Sequence, residues 1–324
     1  MDRLSRRAAI GGLLCTAPAV FADATWAQSP VTPTVPRLAP GEEGDLVMSL
    51  DPWTDAYGRP IASVQINGRG PFDFMVDTGS TVAVVSEDLA RALDATSTGA
   101  FIVAGVTGSA MRPFTVIESL QSGAVRRNNL RVAILSDARL ARCDGILGAD
   151  LFAGKRLVFS IRDKVVRVET SLRSVLPRGN LHLRHGLLAE VDGSVGKVST
   201  KLMLDTGADF CIANPALGEA LKKQHPLQER IPNVRIAGVT GHRILGEVVA
   251  LPRVDAKAFS VRDARAVVAD ASIFKFWELE SEPAMIVGVD ILSGLESFTI
   301  DYGARTFDAQ LAMDLIARNQ GEFG

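Results

Sequence analysis

The sequence predicts an all-β protein of two pseudo-symmetric β-barrel-like lobes with few short helices. Three observations carry this expectation. The chain runs through one series of four segments twice, in the same order. Its apolar runs are short, rich in Val, Ile and Phe, and bounded by Gly or Asn, which is the pattern of strands. Its 324 residues fit two units at roughly 150 residues per domain.

The repeat is explicit. FDFMVDTGSTVAVVS (Phe72–Ser86) returns as TKLMLDTGADFCIAN (Thr200–Asn214), and AGVTG at Ala104–Gly108 returns unchanged at Ala237–Gly241. DGILGADLF (Asp144–Phe152) returns as AMIVGVDIL (Ala284–Leu292). Each series closes on a hairpin-like segment, one from Leu157 and one from Ser297. Self-similarity of this kind is the mark of a duplicated structural unit.

In chain order, residues 1–27 read as an export signal. Arg3, Arg6 and Arg7 precede an apolar stretch from Ala8 to Phe21, and small residues follow at Ala22, Ala24 and Ala27. The Arg6-Arg7 pair resembles a twin-arginine signal, and an ordinary secretory signal is the alternative. The stretch is shorter than the roughly 20 residues that a spanning helix needs. The expected location is therefore the periplasm or cell envelope, with no stable membrane insertion once the signal is removed. Residues 28–44, with Pro30, Pro33, Pro36 and Pro40, read as an extended linker.

The N-terminal lobe is expected over 45–172. Its strands include 62–66, 72–76, 100–104, 131–135 and 165–168, with an Asn67-Gly68 hairpin turn and a short helix over 86–93. The C-terminal lobe is expected over 173–318. Asp192-Gly193 reads as its matching turn, 215–224 as a helix, and 311–317 as a tail helix. Cys143 and Cys211 fall in opposite halves and are expected as buried free thiols.

Composition narrows the chemistry. Hydrophobic residues make up 47%, inside the globular range of about 45–50%, so a packed core is available. Net charge is −2, which gives no footprint for a nucleic-acid partner. Arg126, Arg127 and Arg131 read as a solvated hairpin face. His182, His185, His225 and His242 lack metal-ligand spacing with the cysteines. HExxH, GxSxG, phosphate-loop and dinucleotide patterns are absent from the sequence, so neither a metal nor a cofactor is expected.

The two Asp-Thr-Gly segments carry the chemistry. Asp77 and Asp205 each end an apolar run, where an ionised carboxylate is costly without partners. Gly79 and Gly207 allow a tight turn whose N–H groups hold the carboxylate. Thr78 and Thr206 can bond the opposite loop. Related by a pseudo-two-fold axis, the carboxylates would face each other, and like charges about 3 Å apart share one proton.

This doubled DTG, each followed downstream by an apolar-apolar-Gly segment, strongly resembles the pepsin-like and retropepsin-like aspartic peptidases over roughly 45–310. The resemblance implies that Ile146-Leu147-Gly148 and Ile286-Val287-Gly288 cross beneath the catalytic loops and support them. It also implies that Gly105-Val106-Thr107-Gly108 and Gly238-Val239-Thr240-Gly241 are flap tips, one per lobe. An extended polypeptide is then the substrate, clamped by strand addition. Because both loops lie in one chain, a monomer is expected.

Two departures from the family stand out. Neither Tyr57 nor Tyr302 lies near a flap, so the flaps are retropepsin-like. The residue after DTG is Ser80 in one half and Ala208 in the other. A Ser80 hydroxyl donating to Asp77 would make Asp77 the ionised base and Asp205 the protonated acid.

The function read from the sequence is an aspartic endopeptidase, and the alternative is a catalytically silent peptide-binding module of the envelope. Phe274, Phe276 and Trp277 read as core packing of the second lobe, or as an apolar subsite. Asp144, Asp150 and Asp290 read as loop-holding acids. His242 is placed to touch substrate beside the second flap tip.

Overall fold

The computed structural model of the chain describes residues 58–311, apart from 124, 137–139, 141–142, 172–179 and 226–229, together with 11–12, 46–49 and 55. Trp53, the segments expected as linker and as export signal apart from Gly11–Gly12, and the chain beyond Leu311 lie outside the described residues. Among the described residues no helix is long and apolar enough to cross a membrane.

The structure is built almost wholly of strands. One eight-stranded sheet takes seven strands from residues 61–148 and the eighth from Gly11–Gly12, and a ten-stranded sheet curls through 181–287. Alternation decides which face each strand buries. In Ile61–Ile66, Ala62, Val64 and Ile66 are buried while Ser63 and Gln65 are exposed, the period of two that a sheet imposes. The strand turns at Asn67-Gly68, where both residues take positive φ (51° and 72°), and returns as Arg69–Asp77. This is the hairpin geometry that Asn-Gly favours.

The matching turn in the second half is not at Asp192-Gly193. Both residues lie inside the strand Leu188–Val195, and the turn into Val198–Leu204 comes at Gly196-Lys197, with Gly196 at φ 59°. Gly193 serves close approach instead. A Cβ there would stand 2.4 Å from the Asp255 carbonyl oxygen, the kind of crossing for which a strand glycine is needed.

The two helices expected from the sequence start where a cap allows it. Ser86 Oγ accepts from Leu89 N at 2.9 Å to open Glu87–Ala92. Asn214 Oδ1 accepts from Leu217 N at 2.9 Å to open Pro215–Gln224. Each bond satisfies one orphan donor of the first turn. The expected tail helix does not begin at Leu311, which ends the strand Thr306–Leu311 and pairs with Leu295. The rest of that segment lies outside the described residues.

The closing hairpins of the two halves join. Lys155–Ser160 pairs antiparallel with Leu295–Asp301 from Arg156↔Asp301 to Ser160↔Ser297. With their hairpin partners and Leu46–Ser49 they form a five-stranded sheet. Its inner face buries Leu157, Phe159, Val166, Val168, Phe298 and Ile300. Phe159 and Phe298 stack across the junction at 4.4 Å. This shared sheet ties one half to the other through their closing hairpins.

Candidate active site

Each DTG loop hangs from a strand that is gripped on one side by its own glycine segment. Arg69–Asp77 ends at Asp77 and pairs parallel with Gly145–Gly148, so that Asp77 lies opposite Gly148. Val198–Leu204 pairs parallel with Ala284–Val287, and Asp205 N donates to the Val287 carbonyl at 3.0 Å. Chain continues close under each loop: Ala149 N donates to Ser80 O at 2.7 Å, and Val289 N to Ala208 O at 2.9 Å. A Cβ on Gly148 would stand 2.7 Å from Val82 backbone, and one on Gly288 would stand 2.8 Å from Ala208 and Phe210 backbone. Any side chain at these positions would push the loop off its support.

The loops are tied to each other by their threonines. Thr78 Oγ1 donates to Leu204 O at 2.9 Å, and Thr206 Oγ1 donates to Val76 O at 2.7 Å. Reciprocally, Thr78 N donates to Thr206 Oγ1 and Thr206 N to Thr78 Oγ1, both at 3.1 Å. All of these groups are buried, where a satisfied polar network rigidifies its surroundings.

Asp77 and Asp205 are both fully buried. Gly79 N donates to Asp77 Oδ1 and Gly207 N to Asp205 Oδ1, each at 2.8 Å. Each carboxylate also lies against the opposite loop. A Cβ on Gly79 would stand 2.5–2.6 Å from the Asp205 carboxyl atoms, and one on Gly207 would stand 2.4–2.6 Å from those of Asp77. Burial, and next the charge of Asp205, push the Asp77 carboxyl well above the usual carboxylate range. Burial likewise raises Asp205, against the Gly207 and Ala208 N–H groups that hold its charge. Two raised carboxyls in contact hold a proton between them at a pH where isolated ones would not.

The donation expected from Ser80 to Asp77 is not made. Its hydroxyl has one proton, and Ser80 Oγ gives it to the Val82 carbonyl at 2.7 Å. Asp205 is held by two backbone donors, Gly207 and Ala208. The expected assignment of the ionised role to Asp77 therefore has no Ser80 bond behind it.

Both AGVTG segments are hairpin tips. The first lies between Gly99–Gly105 and Gly108–Ser122, the second between Arg230–Ala237 and Arg243–Ala250. They meet and cross. Val106 joins an apolar cluster of the C-terminal half with Leu188, Ile236 and Trp277. Val239 joins one of the N-terminal half with Ile61, Val103 and Leu140. Thr107 Oγ1 and Thr240 Oγ1 are 3.4 Å apart. Arg112 Nη2 donates to Thr240 O at 2.9 Å, and Ser272 Oγ to Val106 O at 3.3 Å. His242 is exposed, and a Cβ on Gly108 would stand 2.6 Å from its Nδ1. The second tip thus packs its histidine on the glycine of the first.

A buried ionic cluster stands beside the loops. Arg59 is fully buried, its Nε donates to Asp55 Oδ2 at 2.7 Å, and the same atom lies 3.1 Å from Asp209 Oδ1. Sequence reasoning missed Arg59, Asp209, Arg112 and Ser272. Asp209 follows the second DTG directly after Ala208, but the first half has Thr81 there, so the repeat did not mark it.

The remaining expectations fall into place around this frame. Asp144 accepts from Asp73 N at 2.8 Å, Asp150 from Ala83 N at 3.3 Å, and Asp290 from Cys211 N at 3.0 Å. Asp150 and Asp290 hold loops, whereas Asp144 ties onto the strand Arg69–Asp77. Phe274 and Trp277 are buried in the C-terminal cluster and meet edge to face at 5.9 Å. Half-buried Phe276 stacks with exposed His185 at 5.0 Å. Cys143 and Cys211 are buried free thiols. Of the three arginines read as solvated, Arg126 and Arg131 are exposed, but Arg127 is half-buried and donates to Leu151 O at 2.5 Å.

A family model described as aspartyl protease matches residues 62–151 and 190–291. The chain belongs to the aspartyl protease family. The two matched stretches cover more than half of it, and each carries one DTG loop with its glycine support. No curated protein matches this aspartyl protease chain.

Proposed function

We propose that the chain is an aspartic endopeptidase that hydrolyses an extended polypeptide with water activated between Asp77 and Asp205. The observation that carries this reading is the packing of each buried carboxylate against the glycine of the opposite loop. The ionised partner takes a proton from the water, and the protonated partner gives one to the scissile carbonyl oxygen. Water adds to the amide carbon directly, without a covalent enzyme intermediate.

The crossed flap tips supply the clamp. Polypeptide would pass beneath them and take backbone hydrogen bonds from their strands, as in strand addition. Export through the Arg6-Arg7 signal would place the enzyme in the periplasm or envelope, acting as a monomer. The supporting roles of Thr78, Gly79, Ser80, Thr206 and Gly207 belong to the same reading.

The test is cleavage of an unstructured protein between pH 4 and 8 by the wild type and by Asp77→Asn. Abolition by that change supports the enzyme, since one neutral amide cannot share the proton. Tight binding of peptide by the wild type, with no products at any pH, would instead make the chain a binding module.

A further inference from the structure

We infer that Arg59 is a positioning residue for the aspartyl pair: held across the lobe junction between Asp55 and Asp209, its cation keeps one of the two carboxyls ionised at working pH. This rests on the reading of Asp77 and Asp205 as the catalytic pair.

The placement argues for it first. Arg59 precedes the strand Ile61–Ile66, and the carbonyl of its neighbour Pro60 accepts from Val76 N, one residue before Asp77, at 2.8 Å. Its guanidinium reaches the other loop, with Nε 3.1 Å from Asp209 Oδ1, a short step along the chain from Asp205. The Arg59-Pro60 segment therefore links the strand leading to the first loop, through the Pro60 carbonyl, with a side chain of the second loop, through the guanidinium. It does so without any exposure to water, where a charge acts at much longer range than on the surface.

The cluster is also one-sided. Ile61 pairs with Met75 and Glu190 with Met203, and each methionine lies two residues before its catalytic aspartate. By this register the counterpart of Arg59 in the second half is Leu188, which is buried among apolar groups. The counterpart of Asp209 is Thr81. The threonine interlock is symmetric and already ties the loops together. A purely mechanical clamp would not need a second, charged tie on one side only.

A buried guanidinium is costly, and Asp55 accepts from both its Nε and its backbone N. That pair alone would answer its charge. Asp209 adds a second carboxyl and directs the cation towards the second loop. Among the charged neighbours of both Asp77 and Asp205, Arg59 is the common cation, and it lowers the proton affinity of each. The other titratable groups facing this region are Asp55, Asp209, Asp290, Cys143 and the Tyr302 hydroxyl. None of these can supply a compensating positive charge.

The sign is fixed by electrostatics. A cation favours the ionised forms, so its removal raises both macroscopic steps of the pair. The singly protonated pair is the active form, so both limbs of the pH profile should move up together.

The experiment compares wild type, Arg59→Met, Arg59→Lys and Arg59→Gln in the full chain. It uses carboxyl ¹³C titration of Asp77 and Asp205, assigned with Asp77→Asn and Asp205→Asn, alongside the pH profile of kcat/KM. Arg59→Met is expected to move the acid limb up by about one pH unit, so that cleavage below it falls about tenfold. Arg59→Lys should restore the limb, because it keeps the charge without the fork. Arg59→Gln keeps a polar side chain without the charge and should move the limb up as methionine does. Loss of activity at every pH with unmoved limbs, and no rescue by lysine, would make Arg59 a clamp and overturn the inference. If Arg59→Met fails to fold, limbs in Arg59→Gln that coincide with wild type overturn it alone. If the wild type cleaves nothing, the carboxyl titrations still decide the role of Arg59, while the peptidase reading fails separately.

Discussion

At the scale of single residues, the site is governed by what cannot be added. The missing side chains of Gly79 and Gly207 are the space that the opposite carboxylates occupy. Gly79→Ala places a methyl 2.5 Å from the Asp205 carboxyl carbon, against buried atoms that have nowhere to go. The carboxylate must rotate or the loop must lift. Misplacement of about 1 Å at a reacting centre is enough for a loss of about 100-fold. The expected outcome is a fall in kcat of at least that order, with far less change in KM, measured on any peptide the wild type cleaves. Wild-type kcat in Gly79→Ala would show that the carboxylates do not meet where the packing puts them. Ser80 teaches the complementary lesson. Its type allowed a bond to Asp77, but the nearby Val82 carbonyl competes for the same proton and takes it.

At the scale of elements, the duplicated segments were legible because chemistry repeats in sequence as well as in space. The DTG loops, the glycine segments beside them, both AGVTG hairpin tips and both closing hairpins stand where the repeat put them. What was not legible depends on partners distant along the chain. Gly193 looks like a turn residue, yet it serves a crossing by Asp255 backbone. Arg59 and Asp209 carry no local pattern, and only the folded junction brings them together. The crossing of the flaps belongs to the same class. Arg112, on the first flap, donates to the tip of the second at 2.9 Å, a bond to a charged donor worth about 1.5–3 kcal/mol. Arg112→Ala should loosen both tips at once. Amide hydrogen exchange at 106–108 and 238–241 is expected to quicken by about tenfold or more, since 1.4 kcal/mol is a factor of ten. Amides of Ile61–Ile66 and Leu188–Val195 should stay as in the wild type. Uniform quickening would mean global destabilisation, and no quickening would mean that the valine plugs alone hold the tips.

At the scale of the whole molecule, the buried acids make stability depend on pH with a sign opposite to that of ordinary surface ion pairs. Asp150 is pushed by burial up to about 6, and burial raises Asp77 and Asp205 too. A carboxyl whose folded pKa lies above its unfolded value of 3.8 contributes its full stability below that value. The contribution is then lost as pH rises through the folded pKa. Each such group removes about 1.4 kcal/mol per pH unit over that interval. Asp192 runs the other way. Its bond to Lys201 holds it low, so its contribution fades only under stronger acid. Melting temperature is therefore expected to be highest near pH 4 to 5 and to decline towards pH 8. Asp77→Asn should flatten that decline, because its amide stays neutral throughout and leaves Asp205 without a neighbouring charge. The joining sheet, with Phe159 stacked on Phe298, makes the two halves one cooperative unit, so a single transition should report both. A curve for Asp77→Asn that runs parallel to wild type from pH 5 to 8 would mean that the aspartyl pair is already ionised in the folded chain. The proton-sharing that hydrolysis requires would then be absent.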